Sequence, residues 1–100
     1  MAYRIRYLPR AARQLDEIFT YIADRNPAAA GRVAGAIRRS IERLGDFPYS
    51  SRPSEVRGVR ELPIVRYPYI VFYAVDDQAR EVHILRVRHT SQDPAQHMSD

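Results

Sequence analysis

The side chains in this sequence that suit chemistry are mainly those of arginine and histidine. All 16 of its basic residues are arginine, no cysteine is present, and the three histidines are His83, His89 and His97. A guanidinium binds phosphate and carboxylate groups in a forked geometry, but it does not act as a tunable amine base. The lack of cysteine excludes a thiol nucleophile, disulfides and cysteine-based zinc sites. The residue types therefore point to the binding of anionic groups.

The charge balance supports the same interpretation. The formal net charge is +4 and the isoelectric point is about 9.8. Genome base composition, which would also raise alanine and proline, is an alternative reason for arginine replacing lysine throughout. Even then, a basic surface attracts nucleic acid or an acidic protein segment. His83 and His89 are six positions apart, with no acidic residue at a matching spacing. We therefore predict neither a metal site nor a cofactor.

Length and composition indicate one folded domain. The chain has 100 residues, of which 45% are hydrophobic and 28% are charged, as in ordinary globular domains. No apolar stretch suggests a secretory signal or a membrane span, so we expect a cytoplasmic protein. We predict a domain over residues 1–90 and a flexible tail over residues 91–100.

Two consecutive apolar stretches predict the centre of a sheet. Tyr67–Val75 is the longest apolar run and is rich in β-branched and aromatic residues, which predicts a strand buried on both faces. Asp76–Ala79 supplies a turn, and Glu81–His89 returns as the antiparallel neighbour. Two strands are not stable alone, so an amphipathic layer has to cover them.

The first half of the chain predicts that layer. Leu15, Ile18 and Ile22 form one helical stripe, and Gly31 and Gly35 would allow the second helix to approach the first closely. The remaining predicted elements are a half-buried strand Ala2–Leu8, helices Arg10–Arg25 and Pro27–Asp46, an irregular loop Phe47–Gly58, and a strand Val59–Arg66. The prediction is thus an α+β fold of two layers in the order β-α-α-β-β-β. A helical hairpin covers one face of a mainly antiparallel sheet and leaves the other uncovered.

The uncovered face is predicted to carry arginine. Leu85 and Val87 share one strand parity, and Arg86 and Arg88 share the other. If the two apolar residues face the helices, the two arginines project from the open side. Arg4 and Arg6 of the first strand are likewise predicted to project from the open side.

The second predicted strand, Val59–Arg66, leaves its orientation open. Arg60 and Arg66 share a parity with Leu62 and Ile64, so periodicity does not decide which side they face. A face that mixes guanidinium and apolar groups suits an acidic, amphipathic partner. It also suits a nucleic acid with its phosphates on arginine. The sequence pattern leaves both alternatives open.

The ordered set of motifs resembles one family. YRIRYLPRAARQLDEIFTYIADRNPAAA, RSIERLGDFPYSSRP, VRELPIVRYPYIVFYAVDD and VHILRVRHTSQDP follow each other in a pattern that resembles the ParE branch of the RelE/ParE toxin superfamily. The similarity covers Tyr3 to about Pro94. It implies a bacterial type II toxin with the fold predicted above.

The resemblance also implies partners. A cognate antitoxin would carry a DNA-binding N-terminal part and an acidic C-terminal segment, which is disordered when free and wraps the toxin. The resulting hetero-oligomer would contact operator DNA only through the antitoxin. The arginines expected to bind the antitoxin or the target are Arg4, Arg6, Arg60, Arg66, Arg86 and Arg88.

Two activities divide this superfamily. ParE-like members act on DNA gyrase and arrest growth, whereas RelE-like members cleave mRNA on the ribosome, often with lysines and a C-terminal tyrosine. This chain has no lysine and no tyrosine after Tyr73. If it is a ribonuclease, Arg66, Arg86 and His89 form a reduced catalytic set. The simpler interpretation of His89 is a histidine at a strand end, bonded to the backbone or to a carboxylate. We expect gyrase inhibition, with mRNA cleavage or a non-toxic binding or co-repressor role as alternatives.

Overall fold

The computed structural model describes residues 2–92 and has two layers, with two helices on one face of a five-stranded sheet. The sheet order is β1-β5-β4-β3-β2; β1 runs parallel to β5, and the other neighbours are antiparallel. The elements are β1 (Arg4–Tyr7), α1 (Pro9–Arg25), α2 (Pro27–Glu42), β2 (Arg52–Pro53), β3 (Arg60–Pro63), β4 (Tyr69–Asp76) and β5 (Glu81–His89). The predicted α+β fold is confirmed. Most of the tail predicted over residues 91–100 lies outside the described residues.

The helical hairpin forms where proline and asparagine interrupt the chain. Pro9 occupies the first turn of α1, where a missing N–H costs nothing. Asn26 ends α1 and caps α2, since its side chain accepts a hydrogen bond of 3.1 Å from the Ala29 N–H. Within the part of the chain that the structure describes, neither helix is long and apolar enough to cross a membrane.

The strand β4 is buried on both faces, as its apolar run predicts. Tyr69, Val71 and Tyr73 belong to the core under the helices, and Ile70 and Phe72 point to the opposite side. All five are at most 9% exposed. The Tyr73 hydroxyl donates a hydrogen bond of 2.9 Å to the Pro48 carbonyl. The segment after α2 is thereby fastened to the core.

Hydrogen bonds to Asp77 also hold the segment after α2, on the exposed side of the sheet's end. The Asp77 carboxylate accepts hydrogen bonds from the hydroxyls of Tyr3, at 2.7 Å, and Tyr49, at 2.6 Å. The bond to the carboxylate, followed by desolvation, raises the pKa of Tyr49 to about 12. The N-terminus, the loop before β2 and the β4–β5 turn therefore meet at one carboxylate.

The sequence-based orientation of Leu85 was wrong. Phe72 pairs with Arg86 and Tyr73 pairs with Ile84, so Leu85 is the extra residue of a β-bulge. Ile84 is fully buried under the helices, whereas Leu85 is only half-buried. A simple alternation misses this shift because the bulge reverses the parity of β5 halfway along.

Two further predictions need correction. Phe47–Gly58 is not wholly irregular, because β2 lies inside it and pairs with β3 at the edge of the sheet, where Pro53 is tolerated. The glycines of α2 do not serve helix packing. A Cβ at Gly31 would meet nothing within 4 Å, and one at Gly35 would meet the Arg39 side chain at 2.9 Å.

The bulge can be tested with two neighbouring substitutions. Ile84→Asp places an unpaired carboxylate in the core, at a cost of several kcal/mol, and should abolish cooperative unfolding at room temperature. Leu85→Asp should keep a cooperative transition, because this side chain retains access to water. Thermal unfolding followed by circular dichroism measures both. If Leu85→Asp unfolds the protein and Ile84→Asp does not, the bulge is misplaced.

Candidate functional site

The candidate site is the face of the sheet opposite the helices, which we call the open face. The helices pack against the other parity of the strands, including Val71, Val82 and Val87. Strand register places these residues on the open face: Arg4, Arg6, Arg52, Glu61, Ile70, Phe72, Glu81, His83, Arg86 and Arg88. The predicted positions of Arg4, Arg6, Arg86 and Arg88 on this side therefore agree with the structure. Their binding roles remain predictions.

Phe72 lies at the centre of the open face, beneath two arginines. The guanidinium carbons of Arg86 and Arg88 are each 4.6 Å from the centroid of the Phe72 ring. This is cation–π stacking distance, and it leaves the phenylalanine 5% exposed. The arginines thus cover an apolar ring over which residues 2–92 place no second layer.

The charges of these two arginines have no acidic counterpart among residues 2–92. Within residues 2–92, neither Arg86 nor Arg88 makes an ion pair, and the Nε of Arg88 is buried without a hydrogen-bond partner. Burial lowers the pKa of Arg86, and the positive charges of Arg88 and Arg10 lower it further. A carboxylate or phosphate at this position would relieve both the repulsion and the unmet hydrogen bond.

The flanks of the open face are neutralised, in contrast to its centre. On one side, Arg52 Nε lies 2.6 Å from a carboxylate oxygen of Glu61. On the other side, Glu81 contacts Arg6 at 3.1 Å and Arg4 at 3.5 Å. These exposed pairs contribute little stability, but they reduce the charge that the flanks offer to a partner.

Arg60 does not lie on the open face. It pairs with Tyr73 across the β3–β4 ladder, and so points to the helix side. Its guanidinium donates hydrogen bonds to the carbonyls of Tyr49 and Ser51, and its carbon lies 5.3 Å from the centroid of the Tyr49 ring. The structure therefore gives Arg60 a role in holding the loop before β2.

The candidates for a ribonuclease site are not brought together. Arg86 is on the open face, whereas His89 pairs with Tyr69 on the helix side, with ring centroids 5.2 Å apart. The His89 Nδ1 accepts a hydrogen bond of 3.0 Å from the Ser91 N–H. Arg66 lies in the β3–β4 hairpin and lines a groove beside α2. The three side chains thus occupy separate surfaces.

No metal centre is present among residues 2–92, because no group of three or more suitable ligands converges there. His83 is engaged with Glu81, with 2.9 Å between Nε2 and the carboxylate oxygen. The chain thus offers arginine forks in place of metal-ligand geometry.

The sequence pattern did not predict that Phe72, Glu61 and Glu81 are parts of this face. The signal for Phe72 was present, because alternate residues of a strand buried on both faces must point away from the helices. The two glutamates required the strand register, which pairs Glu61 with Arg52 and Glu81 with Arg4. Spacing along the sequence does not supply that register.

The environment of Glu81 predicts a pH-dependent stability. The hydrogen bond from His83, followed by the charge of Arg6, lowers the pKa of Glu81 below its ordinary value of 4.5. Because the folded state holds the ionised form, this stabilisation is present above pH 4.5 and is lost as the pH falls through the lower folded value.

Glu81→Gln should therefore be less stable than the wild type at neutral pH, and the difference should shrink in acid. Urea unfolding midpoints across the acidic range measure it. Glu55→Gln is the control, because it removes an exposed carboxylate that has no ion pair among residues 2–92. A difference between the Glu81 variant and the wild type that stays constant with pH would contradict this interpretation.

Comparisons with known proteins agree with this architecture. A family model described as "ParE toxin of type II toxin-antitoxin system, parDE" matches residues 5–94. "Putative toxin Y4kP" of Sinorhizobium fredii is 42% identical over 89 residues, which are 89% of this chain and 90% of the relative. "Toxin RelE2" of Caulobacter vibrioides is 35% identical over 82 residues, which are 82% of this chain and 89% of the relative.

A solved structure shares the fold as well. The "Chromosomal ParDE TA system from P. aeruginosa" contains a chain with a TM-score of 0.77 and 27% identity, covering 88% of this chain and 96% of that one. The family model spans nearly all of the described domain, and the relatives match over most of their length. This chain therefore belongs to the family of ParE toxins of type II toxin–antitoxin systems.

Proposed function

We propose that this toxin inhibits DNA gyrase and is neutralised by a cognate antitoxin whose acidic C-terminal segment folds along the open face. The observation that carries the antitoxin half of the proposal is the pair Arg86 and Arg88, which lie on Phe72 without acidic partners among residues 2–92. Carboxylates of the incoming segment would bind the two guanidiniums, and its apolar side chains would cover Phe72 and Ile70.

The geometry favours such a partner energetically. Both guanidiniums are already held against the Phe72 ring, so little side-chain freedom remains to be lost on binding. Charge-assisted hydrogen bonds to carboxylates are about twice as strong as neutral ones. A segment that folds on binding needs strong contacts, since ordering it costs about 2–5 kcal/mol or more.

The comparisons support the antitoxin half of the proposal. The similar chain from P. aeruginosa comes from a ParDE toxin–antitoxin system, and another similar structure is the complex RelBE2 of Mycobacterium tuberculosis, at 25% identity. By similarity to these structures, we infer that this chain also has an antitoxin partner. The toxin and the antitoxin would form a hetero-oligomer that reaches operator DNA through the antitoxin.

We prefer gyrase as the target because the side chains that a ribonuclease would need do not lie close together. A general acid or base has to reach the reacting atoms directly or through one water. Arg86 and His89 lie on opposite faces of the sheet, so they do not act on one phosphate in this conformation. The second candidate, cleavage of mRNA on the ribosome, is favoured by the adjacent Arg86 and Arg88, which suit a scissile phosphate, and by the similarity to toxin RelE2.

The antitoxin interface has a direct test. Arg86→Gln/Arg88→Gln should weaken binding of the antitoxin encoded by the adjacent gene about 100-fold or more, because truncating a buried charged pair costs about 2–5 kcal/mol. Isothermal titration calorimetry measures the affinity. Arg13→Gln/Arg57→Gln is the control, since it removes the same charge from exposed positions elsewhere. Equal losses in the two double variants would reduce the effect to net charge and would contradict the assigned interface.

The cellular target is tested by pulse labelling after induction of the chain without its antitoxin. DNA synthesis should stop first while protein synthesis continues, and His89→Ala should remain as toxic as the wild type. Immediate arrest of protein synthesis with cut mRNA, together with loss of toxicity in His89→Ala, would establish the ribonuclease alternative. Absence of any growth arrest would favour the non-toxic binding role.

A further inference from the structure

A second basic surface lies on the helix side of the molecule. It is an open groove of about 610 Å³ between α2 and the hairpin that joins β3 to β4. Within residues 2–92, four arginines and no acidic residue line it; the arginines are Arg32, Arg39, Arg43 and Arg66. We call this surface the arginine groove. Because α2 packs on the face of the sheet opposite Phe72, the arginine groove is separate from the open face.

Three of the four arginines form a single stripe, two of them on α2 and the third, Arg43, directly after its end. Arg32, Arg39 and Arg43 are separated by seven and four residues, so they project from one side of the helix. Eleven residues at 1.5 Å each place the ends of the stripe about 16 Å apart. Arg66 faces this stripe from the opposite wall of the groove.

None of these guanidiniums is neutralised by a neighbour in residues 2–92. The ion pair on α2 is instead made by Arg38, whose Nε lies 4.0 Å from Glu42. Arg39 folds back over the α2 backbone, where a Cβ at Gly35 would meet its Nη1 at 2.9 Å. Gly35 thus leaves room for the Arg39 guanidinium beside the helix backbone.

The fourth arginine is held in an unfavourable backbone conformation. Arg66 has a φ of 78°, in the left-handed region, which costs a residue other than glycine about 1 kcal/mol or more. The hairpin is fixed on both sides of it, by bonds from the Ile64 N–H to the Tyr69 carbonyl and from the Tyr69 N–H to the Tyr67 carbonyl. Such strain is concentrated at functional positions.

We propose that the arginine groove binds the sugar–phosphate backbone of duplex DNA. A stripe of about 16 Å spans about five phosphates of one strand at 3.4 Å of helix axis each. Arginine forks match phosphate oxygens, and such contacts are independent of base sequence.

The other contents of the groove favour duplex DNA over an acidic peptide or a single strand. Small residues such as Gly31, Ala36 and Ser40 line it. Val65, a larger aliphatic residue of the lining, is 74% exposed, so the groove has no enclosed apolar pocket in which an amphipathic peptide could be anchored. Its one aromatic residue in the described chain, Tyr67, is half-buried against the core, which leaves no free platform for stacking unpaired bases. Regularly spaced phosphates are the chemistry that remains.

This inference goes beyond the proposed function, because it assigns DNA contact to the toxin itself. The open face and the arginine groove lie on opposite sides of the sheet, so an antitoxin on one leaves the other free. The two proposals thus depend on different residues and can fail separately.

The test is fluorescence anisotropy of the full-length chain with a labelled duplex of about 20 base pairs, over a range of salt concentrations. Arg39→Gln/Arg43→Gln/Arg66→Gln should weaken binding about tenfold or more, and it should reduce the slope of log affinity against log salt by about 2–3. The matched control Arg13→Gln/Arg38→Gln/Arg57→Gln loses the same charge and should retain most of the affinity. The variant Arg39→Lys/Arg43→Lys keeps both positive charges. It should therefore bind the duplex nearly as well as the wild type.

Three results would overturn the proposal. The first is an equal loss of affinity in the groove and control variants, which would show that net charge alone attracts DNA. A single-stranded RNA of the same length that binds tighter through the same arginines would assign the groove to RNA. A polyglutamate peptide that binds tighter than the duplex through these arginines would assign it to an acidic protein segment. The groove variant should bind the antitoxin with unchanged affinity. Each of these three results would then count against the arginine groove alone and leave the open-face proposal standing.

Discussion

The structure depends on covering an aromatic ring on a sheet face over which the described part of the chain places no second layer. A strand buried on both faces has to place alternate side chains away from the helices, and in β4 one of these is Phe72. Arg86 and Arg88 meet this requirement by stacking their guanidiniums on the ring, which shields it from water while keeping two charges at the surface. The same arrangement stabilises the free toxin. In our proposal it also prepares a binding surface, because the cations are already ordered and have no internal counter-ion among residues 2–92.

In the described chain, the unpaired positive charge of the open face lies on the two arginines over Phe72. At the edges of the open face, Glu61 and Glu81 neutralise neighbouring arginines, so the unpaired charge is concentrated at the centre. Hot spots of binding also tend to lie at the centre of an interface, where water is excluded. On the helix side, the arginine groove presents charge of a different kind, spread along a line beside small or exposed apolar residues such as Ala36 and Val65. Two cationic surfaces of different composition suit two different partners, a folding peptide on one side and a phosphate backbone on the other.

Much of the fold could be predicted from local patterns. The apolar run of β4, the stripes of the helices and the proline at the start of each helix specify elements without tertiary information. The side on which Arg60 lies could not be predicted, because this arginine shares its parity with apolar Leu62 and only the ladder to Tyr73 resolves the question. The bulge at Leu85 arises from pairing between strands, and so leaves no periodic signal. The stripe of Arg32, Arg39 and Arg43 was detectable from helical spacing, but the wall that Arg66 provides depends on the hairpin fold.

The central claim is that the arginines over Phe72 receive the antitoxin. The most direct measurement is nitrogen-15 NMR of the arginine Nε–Hε groups in the full-length chain, titrated with the C-terminal segment of the antitoxin from the adjacent gene. We predict that the signals of Arg86 and Arg88 shift and become protected from exchange with water, while that of Arg39 stays unchanged. Shifts confined to the arginine groove, with Arg86 and Arg88 unaffected, would contradict the account.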